Sequence, residues 1–399
     1  MQGHFEDAAT SYRQTLKLEP DNVEAYANLG DVLMHLDALA EPELYYRRFL
    51  TIRPAHLRIR ASLGDTLLAA GRYEEAWPYH DDRWAFGLID DSNTEPPRPR
   101  LPLPQWKGEG LDAKDRARGM PLRKARLLVT YEQGYGDSLQ FVRYLALALE
   151  RFSHVTFACP PPLWRLYQDS LCSRLPGLVL IDALPADLSN WDWYCPLLSL
   201  PMAFGTRLDT VPAPVPYLYA HARRATRWRG RLAALPNPTL PRIGVVWHGN
   251  SDFPADRKRS LTSSQIAPLF DVPQILWISL QKMDAPAKCP DAAVKERLTD
   301  WMDEVTDFAD TAALIENLDL VISVDTSVAH LAAAMGKPVW LLNRFAGCRR
   351  WLRDRDDSPW YPTLRLFTQT QRGNWDDVLA RVVTALQQDF LPHHERSQP

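Results

Sequence analysis

Short apolar runs followed by small-residue helical patterns recur through the second half of the chain. The clearest is Leu320 to Asn343, LVISVDTSVAHLAAAMGKPVWLLN. Leu320 to Val324 is apolar and rich in β-branched residues, as a strand covered on both faces requires. Asp325, Thr326 and Ser327 follow, all good N-cap residues. Val328 to Met335 is a short helix, Ala-rich enough to lie close on a sheet. Gly336 stands at the C-cap, Pro338 stops the helix, and Val339 to Leu342 is the next strand. The pattern predicts a parallel strand–helix–strand unit, which binds ligands at the carboxyl ends of its strands. Free helix N–H groups and the hydroxyls of Thr326 and Ser327 would meet there, a seat for a diphosphate. A simpler reading stands beside it, in which Asp-Thr-Ser only caps a helix. His330, in the first turn at the same end, weighs toward a ligand.

The same grammar appears earlier. Arg126 to Thr130 is a strand, Glu132 to Asp137 a tight glycine loop, and Ser138 to Glu150 an amphipathic helix. The loop fails the dinucleotide fingerprint, because Leu139 stands where the third glycine of GxGxxG belongs, which disfavours a nicotinamide dehydrogenase. Gly134 and Gly136 let the backbone turn sharply and hold Asp137 at the helix entrance, where it is either an N-cap or a working carboxylate. Strands follow at His154 to Cys159, Gly177 to Ile181 and Trp193 to Pro196. His221 to Leu235 is a basic connecting helix, and Pro236 to Pro241 a linker. Arg242 to Trp247 opens a second layer, with His248-Gly249-Asn250 at its carboxyl end and the basic loop Asp256-Arg257-Lys258-Arg259-Ser260 beyond. That loop reads equally as a diphosphate clamp or a solvated charge run. Ile275 to Leu280 ends at Gln281-Lys282 on the same edge. A helix over Thr311 to Asn317, a strand over Leu364 to Phe367 and a closing helix over Trp375 to Gln388 complete the reading.

Residues 1 to about 88 follow a different rule. Leu29-Gly30 and Leu63-Gly64 lie 34 apart, as do Pro20 and Pro54, and Phe5, Leu39 and Tyr73 keep the same interval. Ala8 and Ala76 agree, with Pro42 between them as a departure. This is the tetratricopeptide pattern of stacked helix pairs. Gly3 and Phe5 correspond to the start of a second helix, so the chain opens in mid-repeat, with a truncated start or a replaced first helix as the two explanations. So few repeats are marginal alone and are expected to pack on the remainder of the chain. They serve either as a docking surface or as a capping and oligomerisation element. Asp90 to Gln105 is Pro-rich and reads as a semi-rigid linker.

Bulk composition narrows the function. At 399 residues, two or three domains are expected. The net charge of −3 gives no strong pull toward nucleic acid or anionic membrane. No apolar stretch approaches the ~20 residues of a membrane-crossing helix, and the N-terminus does not read as a signal peptide. The five cysteines are scattered without a CxxC pair, which argues against a zinc site or a disulfide framework and fits a reducing cytoplasm.

Asp325-Thr326-Ser327 with His330, the small-residue helix and Gly336-Lys337-Pro338 resemble the nucleotide-sugar motif of the heptosyltransferase-like glycosyltransferases. More closely, the chain resembles bacterial proteins joining tetratricopeptide repeats to such a domain, an arrangement shared with O-linked N-acetylglucosamine transferases. The resemblance implies a repeat solenoid (1–88), a linker (89–121), two Rossmann-like domains (122–235, acceptor side, and 236–391, nucleotide-sugar side) and a disordered tail (392–399). It implies a cytoplasmic, inverting glycosyltransferase that needs no metal or other cofactor, its donor a nucleotide-diphosphate sugar. A paired-carboxylate metal motif is absent from the sequence. Asp137 would be the base; Gly136, His248, Asn250, Arg257, Gln281, Lys282, Asp325, Thr326, Ser327 and His330 would hold the donor. The repeats would dock a protein or glycan acceptor or a partner, with no nucleic acid and no transmembrane segment, and a homo-oligomer is compatible with them. The rival reading is a repeat scaffold whose transferase-like part has lost activity.

Overall fold

The computed structural model describes residues 4–38, 40–85, 101–109, 124–251 and 256–392. Most of the Pro-rich linker and the tail from residue 393 therefore lie outside the described residues. The chain divides into two compact units.

The first unit contains the repeats: α1 (Phe5–Leu18), α2 (Val23–His35), α3 (Ala40–Ile52), α4 (Leu57–Ala69) and α5 (Tyr73–His80). The 34-residue interval has a packing cause. A Cβ on Gly30 would come within 2.5 Å of the Tyr46 ring, and one on Gly64 within 2.9 Å of the His80 backbone nitrogen. Each glycine lets the second helix of a pair close on the first, and its Leu neighbour, Leu29 or Leu63, is fully buried. Asn22 and His56, also one period apart, cap α2 and α4 by accepting from Ala25 N and Ile59 N. Segments 199–211 and 346–355 belong to this unit as well. The Trp77 indole donates to Thr206 O at 2.6 Å, and Arg349 pairs with Asp65 at 2.9 Å.

The second unit holds two parallel sheets. β1 (Arg126–Thr130), α6 (Tyr135–Phe141), α7 (Tyr144–Leu149), β2 (His154–Ala158), α8 (Trp164–Tyr167), β3 (Leu178–Ile181) and β4 (Trp193–Pro196) form the first, in strand order β3-β2-β1-β4. α9 (Leu200–Ala203) falls in the first unit, and α10 (Ala222–Ala233) leads onward. The second layer comprises β5 (Arg242–Val246), α11 (Ser263–Ile266), β6 (Leu276–Ser279), α12 (Ala292–Lys295), β7 (Leu298–Thr299), α13 (Phe308–Ile315), β8 (Leu320–Val324), α14 (Ser327–Ala334), β9 (Val339–Asn343), β10 (Leu364–Thr368) and α15 (Trp375–Ala385). Its order is β10-β9-β8-β5-β6-β7. β8 and β9 are buried at every position, as their unbroken apolar runs require. The protein is thus a helical repeat region followed by a twin parallel-sheet α/β region.

Two expectations need correction. The single helix over 138–150 is two helices, with Val142 and Arg143 between them. The Arg143 guanidinium donates to Gln140 O at 2.8 Å, taking a carbonyl that a continuing helix would use. The helix also starts earlier than expected. Gly134 is its N-cap, so Asp137 stands at its third position rather than at the entrance. Left-handed backbone in that loop falls on Gln133, φ 61°, not on Gly134 or Gly136.

Candidate functional site

The carboxyl edge of the second sheet gathers the loops after β5, β6 and β8. At its centre, β8 ends at Val324, and Thr326 is the N-cap of α14. The Thr326 side chain makes no capping bond; its hydroxyl lies 3.0 Å from Ser323 Oγ. The first-turn amides of α14 are therefore left without the usual side-chain acceptor, which a ligand anion can replace. Ser327 is the first helical residue, half-buried beside them.

The loop after β5 is built on Asp256, which is 2 % exposed. Its carboxylate accepts from Arg259 Nε at 2.9 Å and Ser260 Oγ at 2.8 Å, and lies 3.2 Å from His248 Nδ1. Ser260 Oγ in turn accepts from Gly249 N at 2.9 Å. Gly249 is needed for closeness, since a Cβ there would sit 2.2 Å from Asp256 Oδ1. Arg259 then donates to Asp325 O at 2.7 Å, pinning this loop to the β8–α14 turn. Sequence reading singled out Arg257, which is exposed; the pinning residues are Asp256 and Arg259. Their i, i+3 spacing is the signal that could have found them.

Gln281 and Lys282 hold backbone. The Gln281 carboxamide oxygen accepts from Trp247 N and from His248 N at 2.9 Å, fixing the end of β5. Lys282 Nζ donates to Met302 O at 3.2 Å and to Val305 O. Asn250 is exposed at the loop tip.

The first sheet brings α6 against α14. A Cβ on Gly136 would lie 2.8 Å from His330 Cδ2 and 3.4 Å from its Nε2. Gly136 is therefore a contact glycine. One residue on, Asp137 is 9 % exposed, and its Oδ2 accepts from Gly134 N at 3.1 Å. His330 is 1 % exposed; its Nδ1 shares a hydrogen bond with the Tyr361 hydroxyl at 2.9 Å, and its Nε2 is 3.8 Å from Asp325 Oδ1. The structure thus brings Gly136, Asp325, Thr326 and His330 to one place, with Asp137 one residue further along α6.

Residues that no local motif announces lock this contact. Arg143 is 6 % exposed and donates to Pro212 O at 3.0 Å, Trp360 O at 2.7 Å and the Tyr217 hydroxyl at 2.8 Å. Its guanidinium lies over the Tyr217 and Tyr361 rings, 4.3 and 4.8 Å from their centroids. Burial holds the Tyr217 phenol above its ordinary range even with this cation beside it. A second clasp joins Arg165 of α8 to Asp307 and Asp310 of α13. Burial works to raise the Asp307 carboxyl, but the Arg165 guanidinium and the α13 amides outweigh it and hold it below its ordinary value.

Comparison with known proteins finds similarity to two families in separate parts of the chain. Residues 1–37 match a tetratricopeptide repeat, and residues 302–342 match glycosyltransferase family 9 (heptosyltransferase). Protein FlbA of Caulobacter vibrioides is 27 % identical over 414 aligned residues, covering 96 % of this chain. The chain spans 65 % of the length of that relative. A family 9 glycosyl transferase from Veillonella parvula aligns at 13 % identity and a TM-score of 0.46, over 67 % of this chain and 97 % of that one. E. coli ADP-heptose LPS heptosyltransferase II aligns at 15 % identity and 0.45, over 67 % and 99 %. An O-GlcNAc transferase from Thermobaculum terrenum aligns at 14 % identity and 0.32, over 99 % and 91 %. The chain is thus similar to a tetratricopeptide repeat over residues 1–37 and to glycosyltransferase family 9, the heptosyltransferase type, over residues 302–342.

Proposed function

We propose that the chain transfers a sugar from a nucleotide-diphosphate donor to an acceptor hydroxyl, with inversion at the anomeric carbon. The observation that supports this reading is the meeting of the first turns of α6 and α14 at Gly136 and His330, with Asp137 the next residue of α6. In this reading the diphosphate rests on the α14 amides with Thr326 and Ser327, and Arg259 steadies the turn from beneath. The acceptor oxygen attacks the anomeric carbon as the bond to the diphosphate breaks. Asp137 takes the acceptor proton, and the helix amides receive the leaving charge. No metal ion or other cofactor has a role in this scheme. The repeats dock a polypeptide acceptor or a partner.

Asp137→Asn separates the steps. It keeps the bond to Gly134 N through its remaining oxygen but cannot accept a proton. Nucleotide affinity measured by calorimetry should stay within about twofold, while turnover falls at least ~100-fold. Unchanged turnover would remove Asp137 from the chemistry.

One observation favours a second reading. The Asp137 carboxylate already accepts from Gly134 N at 3.1 Å, a structural use that suits an inactive scaffold. A thermal-shift screen with nucleoside diphosphates and their sugars tells the two apart, since a scaffold should show no shift.

A further inference from the structure

We propose that the corner made by the ends of β9 and β10 is a second anion subsite, taking a carboxylate or phosphate group carried by one of the two substrates. Assigning the anion to a substrate rests on the transferase reading above; the subsite itself does not.

Register places this corner next to the diphosphate seat. Val324 pairs with Leu342, so Asn343 lies level with Asp325, about one strand spacing (~5 Å) away, and Asn343 in turn pairs with Thr368. Gln369 follows β10 and is 4 % exposed. Its amide orientation is fixed, because Oε1 accepts from Phe345 N at 3.0 Å and Gly373 N at 3.1 Å. Its Nε2 is buried and has no acceptor among the described residues. Asn343 is 2 % exposed; Nδ2 donates to Thr368 Oγ1 at 3.0 Å, and the other end of its amide has no partner among the described residues. Turning that amide over would let the Thr368 hydroxyl donate to it and would present Nδ2 instead. Two buried amides with open hydrogen-bonding capacity at one strand edge are costly unless something completes them.

Charge says what completes them. Lys258 comes from the loop after β5, Arg344 follows β9, and Arg372 follows β10, all on the same edge. Neither Lys258 nor Arg344 has an ion-pair partner among the described residues, and the Arg372 guanidinium sits over the Phe345 ring at 5.5 Å from its centroid. The Lys258 ammonium lies below its ordinary value through burial and then through the charges of Arg344 and Arg372. Asp377, at the start of α15, is already paired with Arg381 at 2.8 Å. Cations on one strand edge, beside an amide N–H with no acceptor among the described residues, fit an anion better than a neutral sugar hydroxyl.

The test is calorimetric titration of inorganic phosphate into the full chain, first alone and then saturated with whichever nucleoside diphosphate raises its melting temperature. Phosphate should bind in both states. Gln369→Glu keeps Oε1 for the two backbone donors and replaces Nε2 by a repelling oxygen. Lys258→Gln removes one cation from a surface loop with little risk to folding. Each should weaken phosphate binding about tenfold or more, with nucleotide binding unchanged. Exclusion of phosphate by an intact nucleotide sugar, but not by its nucleoside diphosphate, assigns the anion to the donor sugar; retention assigns it to the acceptor. Failure to bind phosphate, indifference to both substitutions, or displacement of phosphate by the nucleoside diphosphate alone would overturn the subsite. If no nucleotide binds, the transferase reading fails, while titration of the unliganded chain still decides the corner.

Discussion

Gly136→Ala is the sharpest probe of the α6–α14 contact, because its two consequences oppose each other. Gly136 is the second residue of α6, and its φ is not in the left-handed region, so the backbone accepts alanine. Helix propensity alone would make the substitution stabilising by up to ~1 kcal/mol, less in a first turn. Against this stands a Cβ 2.8 Å from His330 Cδ2, closer than carbon atoms approach without repulsion. His330 cannot recede, being 1 % exposed and held at Nδ1 by the Tyr361 hydroxyl. Overpacking at so rigid a contact costs about 1–3 kcal/mol. The clash should win by about 1–2 kcal/mol, lowering the melting temperature by roughly 2–8 °C for a body of this size.

A double-mutant cycle with His330→Ala isolates the cause. His330→Ala destabilises by itself, since it opens a cavity and strips Tyr361 of a partner. In that background the new methyl has room, so Gly136→Ala should turn neutral or stabilising, a coupling of about 1–2 kcal/mol. Urea unfolding of the four proteins gives the coupling directly. If Gly136→Ala costs the same with and without the imidazole, the glycine is not there to admit His330, and the proposed role of Asp137 loses its physical basis.

Two further outcomes test the groups that lock the site. Tyr361→Phe leaves the buried His330 Nδ1 without its partner and should destabilise by about 1–3 kcal/mol in urea unfolding; a loss below ~0.5 kcal/mol would show that the hydroxyl does not hold the ring. Asp307 has a carboxyl held below its ordinary value of 3.8, so the stability it adds is fully present above that value and is lost as pH falls through the lower folded value. Arg165→Gln should flatten the acid limb of the stability–pH curve below about pH 4, and an unchanged limb would mean the clasp is not formed in solution.

What the sequence disclosed and what it hid divide by the range of the interaction. The β8–α14–β9 unit was readable because its apolar run, cap residues and terminal Gly336 lie within two dozen positions, and each acts on its neighbours. The helix pairs were readable because Gly30 and Gly64 repeat a local demand for closeness. Asp137 was legible as a carboxylate at a helix start, but the helix begins at Tyr135, and the Asp137 carboxylate turns back to accept from Gly134 N. The role of Gly136 was misread for a deeper reason. A glycine in a loop suggests a turn, whereas this one answers to an imidazole 194 positions away, which no local pattern encodes. Arg143 was hidden in the same way. An arginine between two apolar helical stretches looks like a solvated charge until Pro212, Tyr217 and Trp360 converge on it and bury it. Buried cations satisfied by backbone carbonyls and aromatic rings leave no periodic trace, and here one of them ties the turn after α6 to Pro212, Tyr217 and Trp360. A candidate site assembled between two sheets is therefore legible as parts, and its geometry rests on the residues that sequence reasoning passes over.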